Sequence, residues 1–170
     1  MTFWPLSSII RWFSRPPELV VPSPLWTDLL DGLRERGRYV RESGAFLLGP
    51  RGAARRATEI VFYDAIDPDA FDTGIIVMDG SRLGALWPIC RERGLTVVAD
   101  VHTHPCGAQQ SVSDQRHPMV AEPGHLSMII PDFAAEPVRI EAIGLYRYLG
   151  SYRWQPLAHR RRAPALLIEA

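Results

Sequence analysis

The sequence predicts an α/β domain built on a mixed β-sheet, and two observations carry that expectation. Short apolar, β-branched runs ("SGAFLLG", "TEIVFYDAI", "LTVVADVHTH") alternate with longer segments whose leucines recur at helical spacing. Glycine, proline and aspartate clusters punctuate the boundaries between them. The chain has 170 residues, 46% of them hydrophobic and 22% charged, which suits one domain with a substantial core and is short for two.

The elements follow in order. "ELVVP" is a first strand. "SPLWTDLLDGLRERG" is a helix with Ser23 as a possible cap, Pro24 just inside, and Leu25, Leu29, Leu30 and Leu33 on one face. "SGAFLLG" is a buried strand, "GPRGAARRA" a turn with exposed arginines, and "TEIVFYDAI" the next strand. "DPDAFDTGIIVMDGS" connects onward, with room for a short strand at Ile75 to Met78. "SRLGALWPICRERG" is a second helix that Pro88 either bends or starts. "LTVVADVHTH" is a strong strand, followed by a helix around 111–121, a strand in "HLSMIIPDF" and a final pair in "RIEAIGLYRYL" and "SYRWQPL". Strands surrounding two or three helices make a mixed sheet flanked by helices.

Composition excludes several partners. Nineteen basic residues, all arginine, balance nineteen acidic ones, so the formal net charge is zero. A nucleic-acid footprint needs a concentrated basic face, and none is predicted. No apolar run reaches the roughly 18–20 residues that span a bilayer. Cys90, inside the second helix, and Cys106 are the only cysteines, which makes no disulfide framework and favours a reducing cytoplasm. Residues 1–17 form an amphipathic segment, with Phe3, Leu6, Ile10 and Phe13 at helical spacing, expected to fold back on the core or dock a partner. Its two arginines make membrane anchoring the weaker expectation. Residues 158–170 are expected to be a terminal tail, with His159 to Arg162 as a small basic patch at a solvated end.

Chemistry concentrates in "ADVHTHPCGAQQSVSDQRHP". His102 and His104, two apart on a strand, leave the same face of the sheet and can converge. Pro105 and the residues after it end the strand. Ser111 then sits at a helix start with Asp114 three residues on, in the pattern of a capping box. Two imidazoles and one carboxylate make a three-ligand set for Zn²⁺ that leaves one tetrahedral position open. Cys106 is left out of that set, because a fourth protein ligand would close the site. His117 and His125 are expected to be structural.

"HTHP" followed by "SVSD" resembles the zinc motif of the JAB1/MPN/Mov34 (JAMM) metalloproteases, including the JAMM-type deubiquitinases and their bacterial relatives. Six residues separate His104 from Ser111, where that motif usually has seven. "RESGAFLLG" resembles the family's upstream element and places Glu42 in the role of its glutamate. The resemblance covers roughly Trp26 to Trp154 and implies a single MPN/JAB domain over residues 18–157, with a cytidine-deaminase-like sheet. It further implies that His102, His104 and Asp114 hold zinc, that Glu42 is the general base and that Ser111 stabilises the oxyanion.

The activity implied is a zinc isopeptidase or peptidase acting after the C-terminus of a ubiquitin-like protein, in maturation or deconjugation. The compact length is similar to stand-alone bacterial forms. Such forms occur beside activating and conjugating enzymes, including in antiphage systems. Two other readings stay open: a zinc peptidase that processes a sulfur-carrier protein, and a non-catalytic MPN scaffold.

Overall fold

The computed structural model describes residues 16–52, 55–158 and 164–170. The amphipathic segment expected over residues 1–17 lies almost wholly outside the described residues, as does the basic run from His159 to Arg162.

The chain begins with β1 (Leu19–Pro22), which leads directly into α1 (Ser23–Gly37). Pro22 takes the N-cap position, and no side chain caps the helix. Ser23 is therefore the first helical residue and not the cap, and Pro24 follows in the first turn, where its missing N–H costs no hydrogen bond. Trp26, Leu29, Leu30 and Leu33 form the buried stripe. Leu29 and Leu33 have no exposed surface, and burial of each contributes about 1.5–3 kcal/mol.

Six strands make the main sheet, in the order β3-β2-β4-β5-β6-β7. They are β2 (Gly44–Gly49), β3 (Glu59–Phe62), β4 (Thr96–Thr103), β5 (Leu126–Ile130), β6 (Gly144–Gly150) and β7 (Arg153–Pro156). β4 is central and pairs antiparallel with β2 and parallel with β5. Strand alternation gives the sheet two unlike faces. Ala45, Leu47, Val101, Met128 and Ile130 pack with the leucines of α1. Phe46, Leu48, Val61 and Tyr63 cluster with Leu86 and Cys90 of α2 (Leu86–Arg93). The second face also carries Asp100 and His102 of β4.

Several expectations are corrected. Ile75 to Met78 join no strand; Val77 donates its N–H to Ala70 O at 3.1 Å and Ile76 donates to a side chain, so no ladder forms there. Pro88 lies in the first turn of α2, after a 3₁₀ turn at Arg82–Ala85, and so marks a start, not a bend. The helix expected around 111–121 is only α3 (Val112–Arg116). His117 leaves the helical region (φ −125, ψ 65) because Pro118 crowds the residue before it. At the other end of the chain, β8 (Leu166–Glu169) pairs parallel with β1, with Leu166 beside Leu19 and both buried. That part of the expected tail is folded into the core. Among the described residues, no helix is long and apolar enough to cross a membrane.

Candidate metal centre

β4 brings the two histidines to the second face of the sheet. His102 lies opposite Gly44 of β2, and His104 continues past the strand end, donating its N–H to Ile130 O at 3.0 Å. A Cβ on Gly44 would stand 2.3 Å from the Tyr63 ring and 2.8 Å from Val101 O, so only glycine lets β2 and β4 close up beside His102. His104 O accepts from Phe133 N–H at 2.9 Å. Both imidazoles are buried.

Asp114 arrives from the far side of the loop, in the first turn of α3. The capping box is complete: Ser111 Oγ accepts from Asp114 N–H at 3.1 Å, and Ser111 N–H donates to Asp114 Oδ2 at 2.6 Å. The cap aims the carboxylate at the histidines. Asp114 Oδ1 lies 3.6 Å from His102 Nε2, Oδ2 lies 3.3 Å from His104 Nε2, and the two Nε2 atoms are 3.1 Å apart.

These spacings fit a metal ion. Ligands at about 2.0–2.1 Å in tetrahedral directions stand roughly 3.3 Å from one another, and the three observed separations bracket that value. Without a cation, the two nitrogens face each other at a distance that accommodates one proton between them, not two. Burial opposes charge on His102, but the carboxylates of Asp100 and Asp114 hold its pKa up to about 9. Burial likewise opposes charge on Asp114, yet His102 and His104 hold its carboxyl well below the usual carboxylate range. The group is arranged to surround positive charge, and His102, His104 and Asp114 can hold a metal.

Glu42 lies in the connection between α1 and β2. The lead-in to β2 is stitched to the end of β4: Ser43 N–H donates to Thr103 Oγ1 at 3.0 Å, and Thr103 N–H donates to Ser43 O at 2.9 Å. Thr103, between the two histidines, points to the opposite face and makes this stitch. Glu42, some sixty residues before the histidines, thereby shares one cleft with His102, Ser111 and Asp114. The cleft has a volume of about 650 Å³, and Ile75, Val77, Met78 and Trp154 form much of its apolar wall. Glu42 Oε2 accepts from Ile76 N–H at 3.2 Å, leaving the other carboxylate oxygen free to take a proton. Ser111 Oγ uses a lone pair in the cap, so its hydroxyl hydrogen remains available to a nearby anion.

No family model matches the chain. A curated relative, described as a probable metalloprotease of Sinorhizobium fredii, is 35% identical over 63 residues, which are 37% of this chain and 39% of that protein. The match thus spans well under half the relative's length. Among solved structures, protein DSY2949 of Desulfitobacterium hafniense aligns with a TM-score of 0.61 at 17% identity, covering 82% of this chain and 90% of that one. A protein of Salinibacter ruber aligns at 0.51 and 19% identity, covering 84% and 88%. A third, a JAB1/MPN domain protein of Archaeoglobus fulgidus, aligns at 0.47 and 14% identity, covering 84% and 94%. The likeness to the first two solved structures shows a shared fold, and the His102–His104…Ser111–Asp114 pattern is similar to the JAB1/MPN/Mov34 motif.

Within this centre, the sequence reading missed one residue and left another without a role. Asp100, buried two residues before His102, accepts from Ser127 Oγ at 2.9 Å and meets His125 Nε2 at 2.5 Å. The available signal was its register: Asp100, His102 and His104 are spaced two apart. Cys106 is exposed, and the three ligand atoms that come together are those of His102, His104 and Asp114. His117 is exposed at the end of α3, its Nδ1 3.2 Å from Ser113 O, and it lines the cleft.

Proposed function

We propose that the chain is a zinc-dependent peptidase that cleaves the peptide or isopeptide bond following the C-terminus of a ubiquitin-like protein. The observation that carries this reading is the convergence of Glu42 and Ser111 with His102 and Asp114 in one cleft, with His104 beside both ligands. The relative described as a probable metalloprotease is consistent with it. His102, His104 and Asp114 would hold the zinc, which would supply Lewis acidity toward a carbonyl and a water molecule. Glu42 accepts that water's proton through its free carboxylate oxygen and returns it to the leaving amine. Ser111 donates its hydroxyl hydrogen to the oxyanion that develops on the substrate. The apolar wall from Ile75 to Met78 offers contact to a stretched C-terminal segment entering the cleft.

The partners proposed are ubiquitin-like precursors or conjugates, together with the activating and conjugating enzymes of a bacterial antiphage modification system. The test is incubation of the zinc-loaded chain with a ubiquitin-like precursor extended past its C-terminal glycine, read by intact mass. Cleavage after the glycine, absent in Glu42→Gln, is the expected result. Cleavage elsewhere, or equal cleavage by that variant, would overturn the reading.

A further inference from the structure

Asp100 is placed where a buried carboxylate needs a reason. It is 2% exposed on the second face of the sheet, next to Phe46 and Tyr63. Donors from three segments converge on it: Ser127 Oγ from β5 at 2.9 Å, His125 Nε2 from the turn before β5 at 2.5 Å, and Tyr63 Oη from the 3₁₀ turn after β3 at 3.5 Å. A buried charged group of this kind contributes little net stability compared with apolar residues of the same volume. What distinguishes the position is its neighbour. Asp100 Oδ2 lies 3.9 Å from His102 Nδ1, the ring nitrogen turned away from His104 and Asp114, while Nε2 faces them. Metal-binding histidines are commonly oriented by a carboxylate on the nitrogen that does not bind the metal, which fixes both the tautomer and the ring angle.

We propose that Asp100 is a positioning residue of the metal centre. Anchored by His125, Ser127 and Tyr63, it draws the N–H of His102 Nδ1 toward itself and so presents the Nε2 lone pair to the metal. His125 gains a role by this argument, as the principal anchor of Asp100. The inference rests on the assignment of His102 as a ligand, and not on the identity of the substrate.

The test measures zinc affinity of the full chain by competition with a chromophoric chelator, together with the His102 ring resonances of the zinc-loaded protein. Asp100→Asn keeps the size of the side chain and removes its charge. It should weaken zinc binding about 10–100-fold and shift the His102 Nδ1–H proton upfield with faster exchange, a signature that a purely structural role would not move. His125→Gln retains a donor toward Asp100 and should lose less affinity than His125→Leu. Asp100→Asn that folds, and binds zinc within about twofold of wild type, far below the change expected of an orienting carboxylate, would overturn the proposal. Should that variant fail to fold, unchanged affinity in both Ser127→Ala and His125→Leu would overturn it equally. Zinc retained by His102→Ala would sink the ligand assignment and this inference together. Zinc lost there but held at full affinity by Asp100→Asn would sink the inference alone.

Discussion

Glu42 and Ile76, thirty-four residues apart, are joined by a 3.2 Å hydrogen bond from a backbone N–H to a carboxylate oxygen. A second bond, from Glu42 N–H to Gly74 O at 3.0 Å, ties the same two segments together. The proposed base is therefore held by a loop, not by its own strand.

Glu42→Gln keeps the side chain's size and its bond to Ile76 while removing its capacity to accept a proton. Turnover should fall by about 10²–10⁴-fold, with zinc content, melting temperature and substrate affinity near wild type. Steady-state kinetics beside elemental analysis checks this. Wild-type turnover would assign the base to another carboxylate.

The loop that holds Glu42 is itself clamped by Asp67. The Asp67 carboxylate accepts the N–H groups of Asp79 at 2.9 Å and Asp69 at 3.2 Å, and pairs with Arg82 at 2.5 Å. Asp67→Ala should loosen residues 69–80, raise KM and lower kcat, and leave zinc content unchanged, since no metal ligand lies in the loop. Limited proteolysis mapped by mass reads the loop directly. An equally resistant loop would show that Asp67 does not clamp it.

Removing a ligand should remove the metal. His104→Ala leaves only two protein ligands and should lose most bound zinc, as measured by elemental analysis after dialysis against chelator. Full occupancy would refute the assignment of His104.

The metal-free protein should respond to pH in a defined direction. His102 is raised from 6.5 to about 9 on folding, so its contribution is complete below pH 6.5 and disappears as pH rises through about 9. Asp100 is lowered from 3.8 to about 2, so its contribution is present above pH 3.8 and disappears as pH falls through about 2. Between pH 6.5 and 9, chelator-treated protein should therefore lose melting temperature. Zinc displaces the His102 proton, so the stabilisation it confers should grow over the same interval. Parallel melts with and without zinc decide it, and a flat metal-free profile would contradict the charge assigned to His102.

In the core, Leu33→Ala should cost about 2–5 kcal/mol, the range for emptying a fully enclosed leucine site. Denaturant titration measures it. A loss near zero would mean that α1 repacks onto the sheet.

What the sequence disclosed follows distance along the chain. His102, His104, Ser111 and Asp114 were legible because their geometry is local, set by strand alternation and by one helix cap. Glu42 stood out only through resemblance to a family, since the Ser43–Thr103 stitch that brings it to the cleft is visible only in the folded chain. Asp100 was overlooked for a similar reason: its three donors come from residues 63, 125 and 127. Residues 75–78 carried a strand-like pattern, but their hydrogen bonds go to Glu42 and Ala70 and not to a strand. The α3 boundary was misplaced because Pro118 outweighs the polar sequence that would otherwise continue the helix.

The capping box at α3 has an experimental consequence. Asp114 Oδ2 accepts the Ser111 N–H and also faces His104, so electron density drawn toward a metal is withdrawn from that amide bond. The Ser111 amide proton is thus a built-in reporter. Its chemical shift and its rate of exchange with deuterated solvent should register occupancy of the site, with no added probe and no substrate present.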